Sequence, residues 1–155
     1  MAATSSHLDP ELFELCLQAF AGIPATDHNH TVAAAVRSRA GKLFVAMNVY
    51  HFTGGPCAEL SVLGTAAAGG VLAGDIETIV AVRRGKGDVC RVINPCGRCC
   101  QTMLDYNPGI RVIVVDREGK EVEARVCDLM LYPFVWKEGN TGREEKRKAL
   151  EAGQE

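Results

Sequence analysis

Two short segments set the strongest constraint on this chain. They are Pro56-Cys57-Ala58-Glu59 and Pro95-Cys96-Gly97-Arg98-Cys99, with Cys57 and Cys96 separated by 39 positions. A fold that uses both must bring two distant stretches of backbone to one point. Together they offer three thiolates and one carboxylate. Three thiolates fill three of the four positions of a tetrahedral Zn²⁺ and leave the last for water, the layout of a catalytic site. A structural site closes with a fourth Cys or His, which Cys100 or His51 could supply. Neither of those explains Glu59, a carboxylate placed to move the protons of a water at the open position. A lone CxxC reads equally well as a redox pair or half of a structural zinc site. The Cys-Ala-Glu behind Gly54-Gly55-Pro56, and the proline directly before the CxxC, make the combined pattern specific.

Each half falls where a helix is expected to begin. Proline at an early helical position sacrifices no hydrogen bond, so helices are predicted over residues 56–68 and 95–106. The thiols then lie in first turns, where free N–H groups and the positive end of the helix dipole favour a thiolate. Cys96 and Cys99 share one helical face. Three thiolates on a divalent cation leave net negative charge, and Arg98, between two ligands, is the expected compensating cation.

The remaining chain alternates strands and helices. Asp9-Pro10-Glu11 starts a helix with an N-cap, a first-turn proline and an acid, and Leu12, Leu15, Cys16 and Ala19 follow at helical spacing. Residues 32–36 and 43–49 read as a hairpin of two strands, 76–82 as a third strand and 89–93 as a short extended piece. Residues 110–115 are almost wholly apolar, as in the middle of a sheet covered on both faces. Residues 124–131 read as helical. The loop at 51–55 carries two glycines that allow close backbone approach. This order predicts an α/β layered domain with a mixed sheet over residues 1–136. Residues 137–155 are charged and too poor in apolar side chains to pack, so they read as a flexible tail.

Composition narrows the function. A hydrophobic content of 47% and a charged content of 23% suit one domain with a proper core. The net charge of −2 gives no electrostatic footprint for nucleic acid. No apolar run is long enough to span a bilayer, and residues 1–10 lack the basic and apolar regions of a secretory signal, so no membrane partner is expected. Seven cysteines, an odd number, argue against a closed disulfide framework and for a reducing, cytoplasmic location. Cys16, Cys90, Cys100 and Cys127 read as small buried hydrophobes. Cys100, beside a ligand, is the one that could compete for metal or oxidise.

On the PCxE…PCxxC pattern, the chain resembles the cytidine deaminase superfamily over residues 8–136. The run Asn48-Val49-Tyr50-His51-Phe52-Thr53-Gly54-Gly55-Pro56-Cys57-Ala58-Glu59-Leu60 is similar to blasticidin-S deaminases of fungal type. So is the ending Val135-Trp136 after an aromatic residue. The resemblance implies a three-layer fold, a five-stranded mixed sheet flanked by helices, a homotetramer, and Zn²⁺ on Cys57, Cys96 and Cys99. It implies hydrolytic deamination of a small cytosine-containing substrate. Glu59 would shuttle protons between water, ring N3 and the leaving amine, and backbone groups near Ala58 and Asn94 would hold the pyrimidine edge.

Substrate identity turns on a few further positions. Asn48-Val49-Tyr50 resembles the Asn-x-Glu of nucleoside deaminases, whose Asn and Glu bind ribose hydroxyls; here Tyr50 stands in place of the Glu. An unmet ribose hydroxyl costs about 1–3 kcal/mol. The exchange suits blasticidin S, whose sugar is an unsaturated pyranose acid. Arg91 and Arg98 are candidates for its carboxylate, although Arg91 reads equally as a solvated strand-end charge. Phe134 and Trp136 could close over the ligand, or cap the core. The superfamily usually has Arg where this chain has Cys100, commonly Tyr where it has Phe134, and its basic residue upstream of the second Pro-Cys is out of register by one. The alternative function is cytidine or deoxycytidine deamination in pyrimidine salvage. A metal-binding interaction domain without turnover leaves Glu59 unexplained, and a nucleic-acid editor would need a basic stripe. His28, His30 and His51 read as ordinary loop residues.

Overall fold

A computed structural model describes residues 7–135. Trp136 and residues 137–155, the latter read above as a tail, lie outside the described residues. Helix α1 spans Pro10–Phe20, and the Asp9 carboxylate accepts the Leu12 N–H at 3.0 Å as its N-cap. Strands β1 (Val32–Ser38) and β2 (Leu43–Met47) form the expected hairpin, followed by α2 (Ala58–Ala68) and β3 (Ile76–Arg84). Next come β4 (Cys90–Ile93), α3 (Gly97–Tyr106), β5 (Arg111–Val115) and β6 (Glu121–Arg125).

The sheet has six strands, in the order β2-β1-β3-β5-β6, with β4 also paired to β3. The β3–β5 pair is parallel and the others are antiparallel, so the sheet is mixed. One strand more than expected is present. Residues 121–125 form an edge strand, and the predicted helix over 124–131 reduces to one 3₁₀ turn at Val126–Asp128. Glu-Val-Glu-Ala-Arg is made mostly of good helix formers. Pairing with β5, from Arg111↔Arg125 to Val115↔Glu121, overrides that preference. Alternation supports the strand, because Val122 and Ala124 pack inward while Glu123 and Arg125 are exposed.

The layers follow from the same period of two. On one face Ala33, Ala35, Val80, Val82 and Ile113 meet Leu12, Phe13, Cys16 and Phe20 of α1. On the other, Ala34, Val36, Ile79, Ala81, Val112 and Val114 meet Ala58, Val62 and Ala66 of α2 and Cys99 and Met103 of α3. The sheet is therefore covered on both sides, and the middles of β1 (Val32–Val36), β3 (Ile79–Val82) and β5 (Val112–Val115) are continuous apolar runs for that reason. Cys16 is fully buried in the α1 layer, as a small hydrophobe; burial, then Cys90, pushes its thiol up to about 12. No described helix is long and apolar enough to cross a membrane.

Candidate active site

Strands β4 and β5 abut end to end along β3, which pairs with β5 over Thr78–Val80 and with β4 over Ala81–Arg84. Helix α3 leaves the sheet at that break. The Asn94 amide secures the junction: Nδ2 donates to the Val115 carbonyl at 2.9 Å and Oδ1 accepts the Val115 N–H at 2.6 Å. Helix α2 begins after the loop that follows β2, so two helix N-termini converge on the same face of the sheet.

Both helices start two residues later than predicted. Cys57 and Cys96 are themselves the N-caps, in extended backbone (ψ 158° and 167°), and the prolines precede the caps. An extended N-cap turns its side chain back over the first turn's free N–H groups. Cys99 lies in the first turn of α3. The Cys57 and Cys96 sulfurs are 3.8 Å apart, those of Cys96 and Cys99 are 3.5 Å apart, and all three lie within 4.8 Å of one another. These separations exceed the roughly 2.05 Å of a disulfide. A tetrahedral ion with Zn–S bonds of about 2.3 Å places its sulfurs about 3.8 Å apart. The donor set therefore fits Zn²⁺. Cys100 is buried, with its Sγ 3.8 Å from the Pro95 carbonyl oxygen, and is not part of the cluster.

The charges around the thiols are unequal. Burial raises Cys99, and the Glu59 carboxylate raises it further. Cys96 is also penalised by burial, but the Cys99 backbone N–H, hydrogen bonds with the other two thiols and the Arg98 backbone N–H outweigh it, so its thiol is lowered. Glu59, in the first turn of α2, is 5% exposed, and its charge is felt at both Cys99 and Cys100. The carboxylate thus sits beside the thiol cluster inside the protein. Arg98 Nη2 donates to the Cys57 sulfur at 3.3 Å and to the Gly55 carbonyl at 2.9 Å, and the bond to Cys57 raises the guanidinium's own pKa. It links the two halves of the site.

The other candidate residues are more dispersed. Ala58 opens α2, fully buried. Asn48 has its amide engaged: Oδ1 accepts the Val32 N–H at 2.9 Å and Nδ2 donates to the Asn29 carbonyl at 2.7 Å. Tyr50 is 67% exposed. Arg91 is an exposed residue of β4 opposite Arg83, on the sheet face of Ile93 that packs towards α2 and α3. Phe134 is exposed and Trp136 lies outside the described residues. His51 is bonded within its loop to Thr53, and His30 to Asp27. Gln101, on α3, was not singled out from the sequence. It bonds both backbone groups of Phe134, a long-range contact that no local pattern announces.

No family model matches the chain. A blasticidin-S deaminase from Bacillus cereus is 32% identical over 131 residues, covering 81% of this chain and 91% of that one. Among solved structures, a cytidine deaminase from Burkholderia pseudomallei has 28% identity and a TM-score of 0.62, over 79% of this chain and 96% of its own. A cytidine deaminase from Bacillus anthracis has a TM-score of 0.64 at 16% identity, over 88% of this chain and 94% of its own, a likeness of fold.

Proposed function

The chain is a deaminase of the cytidine deaminase superfamily, and from that premise we propose that it hydrolyses the cytosine ring of blasticidin S to the uracil form with release of ammonia. The observation that carries the reading is the cluster of Cys57, Cys96 and Cys99 with buried Glu59 beside it. Zinc held by the three thiolates would supply a water acidic enough to act near neutral pH. Glu59 would take a proton from the attacking water, deliver it to ring N3, and then help protonate the departing amine at C4. Its burial keeps this shuttle away from bulk solvent. The backbone N–H of Ala58 and the backbone at Asn94, fixed by its amide on Val115, hold the pyrimidine edge. Water contributes the new C4 oxygen, and nitrogen leaves as ammonia.

Two observations favour blasticidin S over a ribonucleoside. Tyr50 stands where a ribose-binding acid would, and the Asn48 amide is already bonded to Val32 and Asn29. Arg91 and Arg98 are the candidate cations for a substrate carboxylate, Arg98 using only Nη2 on Gly55 and Cys57. The alternative, cytidine or deoxycytidine deamination in salvage, draws on the cytidine deaminases among the similar structures. Exposed Val49, Tyr50, Phe52, Leu131, Tyr132 and Phe134 give an apolar surface consistent with a homotetramer. A site built on free thiols suits the cytoplasm.

The test is absorbance loss on deamination, run with blasticidin S and cytidine on the wild type and Glu59→Ala. Turnover of blasticidin S well above cytidine, lost in the variant, supports the reading. Preference for cytidine moves the protein to salvage. Consumption of neither compound refutes both.

A further inference from the structure

Beyond Leu129 the described chain forms no helix or strand, and its side chains are among the most exposed apolar groups described. Leu131 is 88% exposed, Tyr132 94% and Phe134 65%. An apolar segment of this kind needs an anchor to keep one path. One is present at Phe134. Gln101 Nε2 donates to the Phe134 carbonyl at 2.9 Å, and Gln101 Oε1 accepts the Phe134 N–H at 2.9 Å. A single side-chain amide thus pairs with both backbone groups of one residue, as a neighbouring strand would. The amide is itself aimed, because Nε2 also donates to the Asp105 carboxylate at 3.1 Å, one turn along α3.

The position of Gln101 matters as much as its bonds. It lies on α3 two residues beyond Cys99 and three beyond Arg98, whose guanidinium is bonded to Cys57. Residues three apart are neighbours on a helix surface. The anchored segment therefore docks on the face of α3 that carries Arg98, the residue bonded to Cys57. Phe134 is 65% exposed, so its side chain is not part of the core.

We infer that Gln101 is a positioning residue: its amide seats Phe134 and the 131–135 segment at the mouth of the thiol site, so that this segment forms part of the substrate-binding wall. The inference rests on the deaminase reading for its kinetic consequence, but the anchoring itself does not. Gln101 never touches the reacting atoms. It acts through Phe134, so its loss weakens substrate binding more than it slows the chemical step.

The test uses the full chain loaded with zinc, with Gln101→Met to keep shape without the two hydrogen bonds. Gln101→Glu is the second variant, keeping the acceptor for the Phe134 N–H and losing the donor to its carbonyl. Amide hydrogen exchange over residues 131–135, zinc content, and KM and kcat with blasticidin S and cytidine are measured together. Expected are faster exchange in 131–135, unchanged zinc content, and a KM raised about ten-fold with kcat much less affected, Gln101→Glu falling between. Faster exchange with unchanged KM would overturn the positioning role, leaving a purely structural anchor. Unchanged exchange would overturn the anchoring as well. A wild type that consumes neither compound, yet loses protection at 131–135 in the variants, would overturn the deaminase reading and the substrate wall with it, while the anchor stands.

Discussion

Arg98 donates a hydrogen bond to the sulfur of Cys57 at 3.3 Å, across the 41 positions that separate the two halves of the site. The contact puts a permanent cation beside one of three sulfurs that, as metal-bound thiolates, would together carry more charge than a divalent ion. Arg98→Ala is expected to weaken zinc binding about ten-fold in chelator competition. It should also move the acid limb of the kcat/KM profile up by about one pH unit, because less positive charge remains to favour loss of a proton at the centre. Arg98→Lys keeps the charge and should recover part of both. A profile and affinity unchanged in Arg98→Ala would leave Arg98 as a link to Gly55 only.

The thiols predict how metal uptake depends on pH. Burial and the Glu59 carboxylate raise Cys99, so its thiol is protonated in the metal-free protein at neutral pH. A thiol must lose that proton to bind zinc. Apparent zinc affinity should therefore rise with pH, by about a factor of ten per pH unit for each proton displaced. Glu59→Gln removes one of the charges that raise Cys99 and should strengthen uptake at pH 6 to 7. Zinc titrations across pH in a weak buffer, with proton release followed in parallel, would check both signs. A flat affinity would contradict them.

Much of this site was legible because its chemistry is local in sequence. The spacing of Cys96 and Cys99 on a helix start, Glu59 behind Cys57, and the glycines before Pro56 all stand in short runs. The apolar runs of β1, β2, β3 and β5 were legible for the same reason. What was missed depends on distant partners. Strand β6 looks helical by residue preference, and only pairing with β5 makes it a strand. The amides of Asn48, Asn94, Gln101 and Asn107 each bond backbone groups of other segments, and nothing in the chain beside them names those segments.

Asn107 gives a stability prediction of that kind. It is 5% exposed, and its Nδ2 donates to the Ala73 carbonyl at 3.1 Å while its Oδ1 accepts the Gly109 N–H at 3.0 Å. It joins the end of α3 to the turn before β3. Asn107→Ala leaves these backbone groups without that partner and is expected to cost about 2 kcal/mol in urea unfolding. Asn107→Asp keeps the acceptor but turns a donor towards carbonyls into a charge, and should be at least as damaging at neutral pH. An Asn107→Ala midpoint equal to the wild type would show that water replaces the amide.

Selectivity is predicted to sit at Tyr50. Tyr50→Glu restores the Asn-x-Glu pattern associated above with ribose binding, and Tyr50 is exposed enough for the change to be tolerated by the fold. Its kcat/KM for cytidine should rise about ten-fold, the worth of one recovered hydrogen bond to a hydroxyl, while that for blasticidin S falls. Equal changes for both substrates would place selectivity elsewhere.

The two glycines before Pro56 separate a site effect from a backbone effect. A Cβ at Gly55 would lie 1.8 Å from the Val49 carbonyl oxygen, so Gly55→Ala must push the 49–55 loop away from its path. That loop also holds Pro56, whose carbonyl accepts the Val49 N–H at 3.1 Å, and Gly55 offers its own carbonyl to Arg98 at 2.9 Å. Displacement therefore reaches Cys57 and its guanidinium partner together. Gly54, its neighbour, has φ +94° but open space where a Cβ would go. Gly54→Ala should cost only the strain of a left-handed residue, about 1–2 kcal/mol of stability, with kcat/KM close to the wild type. Gly55→Ala should lose at least about ten-fold in kcat/KM and shift the pH profile in the direction of Arg98→Ala, since both break the same link. If the two alanines behaved alike, the close approach at Gly55 would matter for folding alone, and the link from Gly55 through Arg98 to Cys57 would carry no weight in the chemistry.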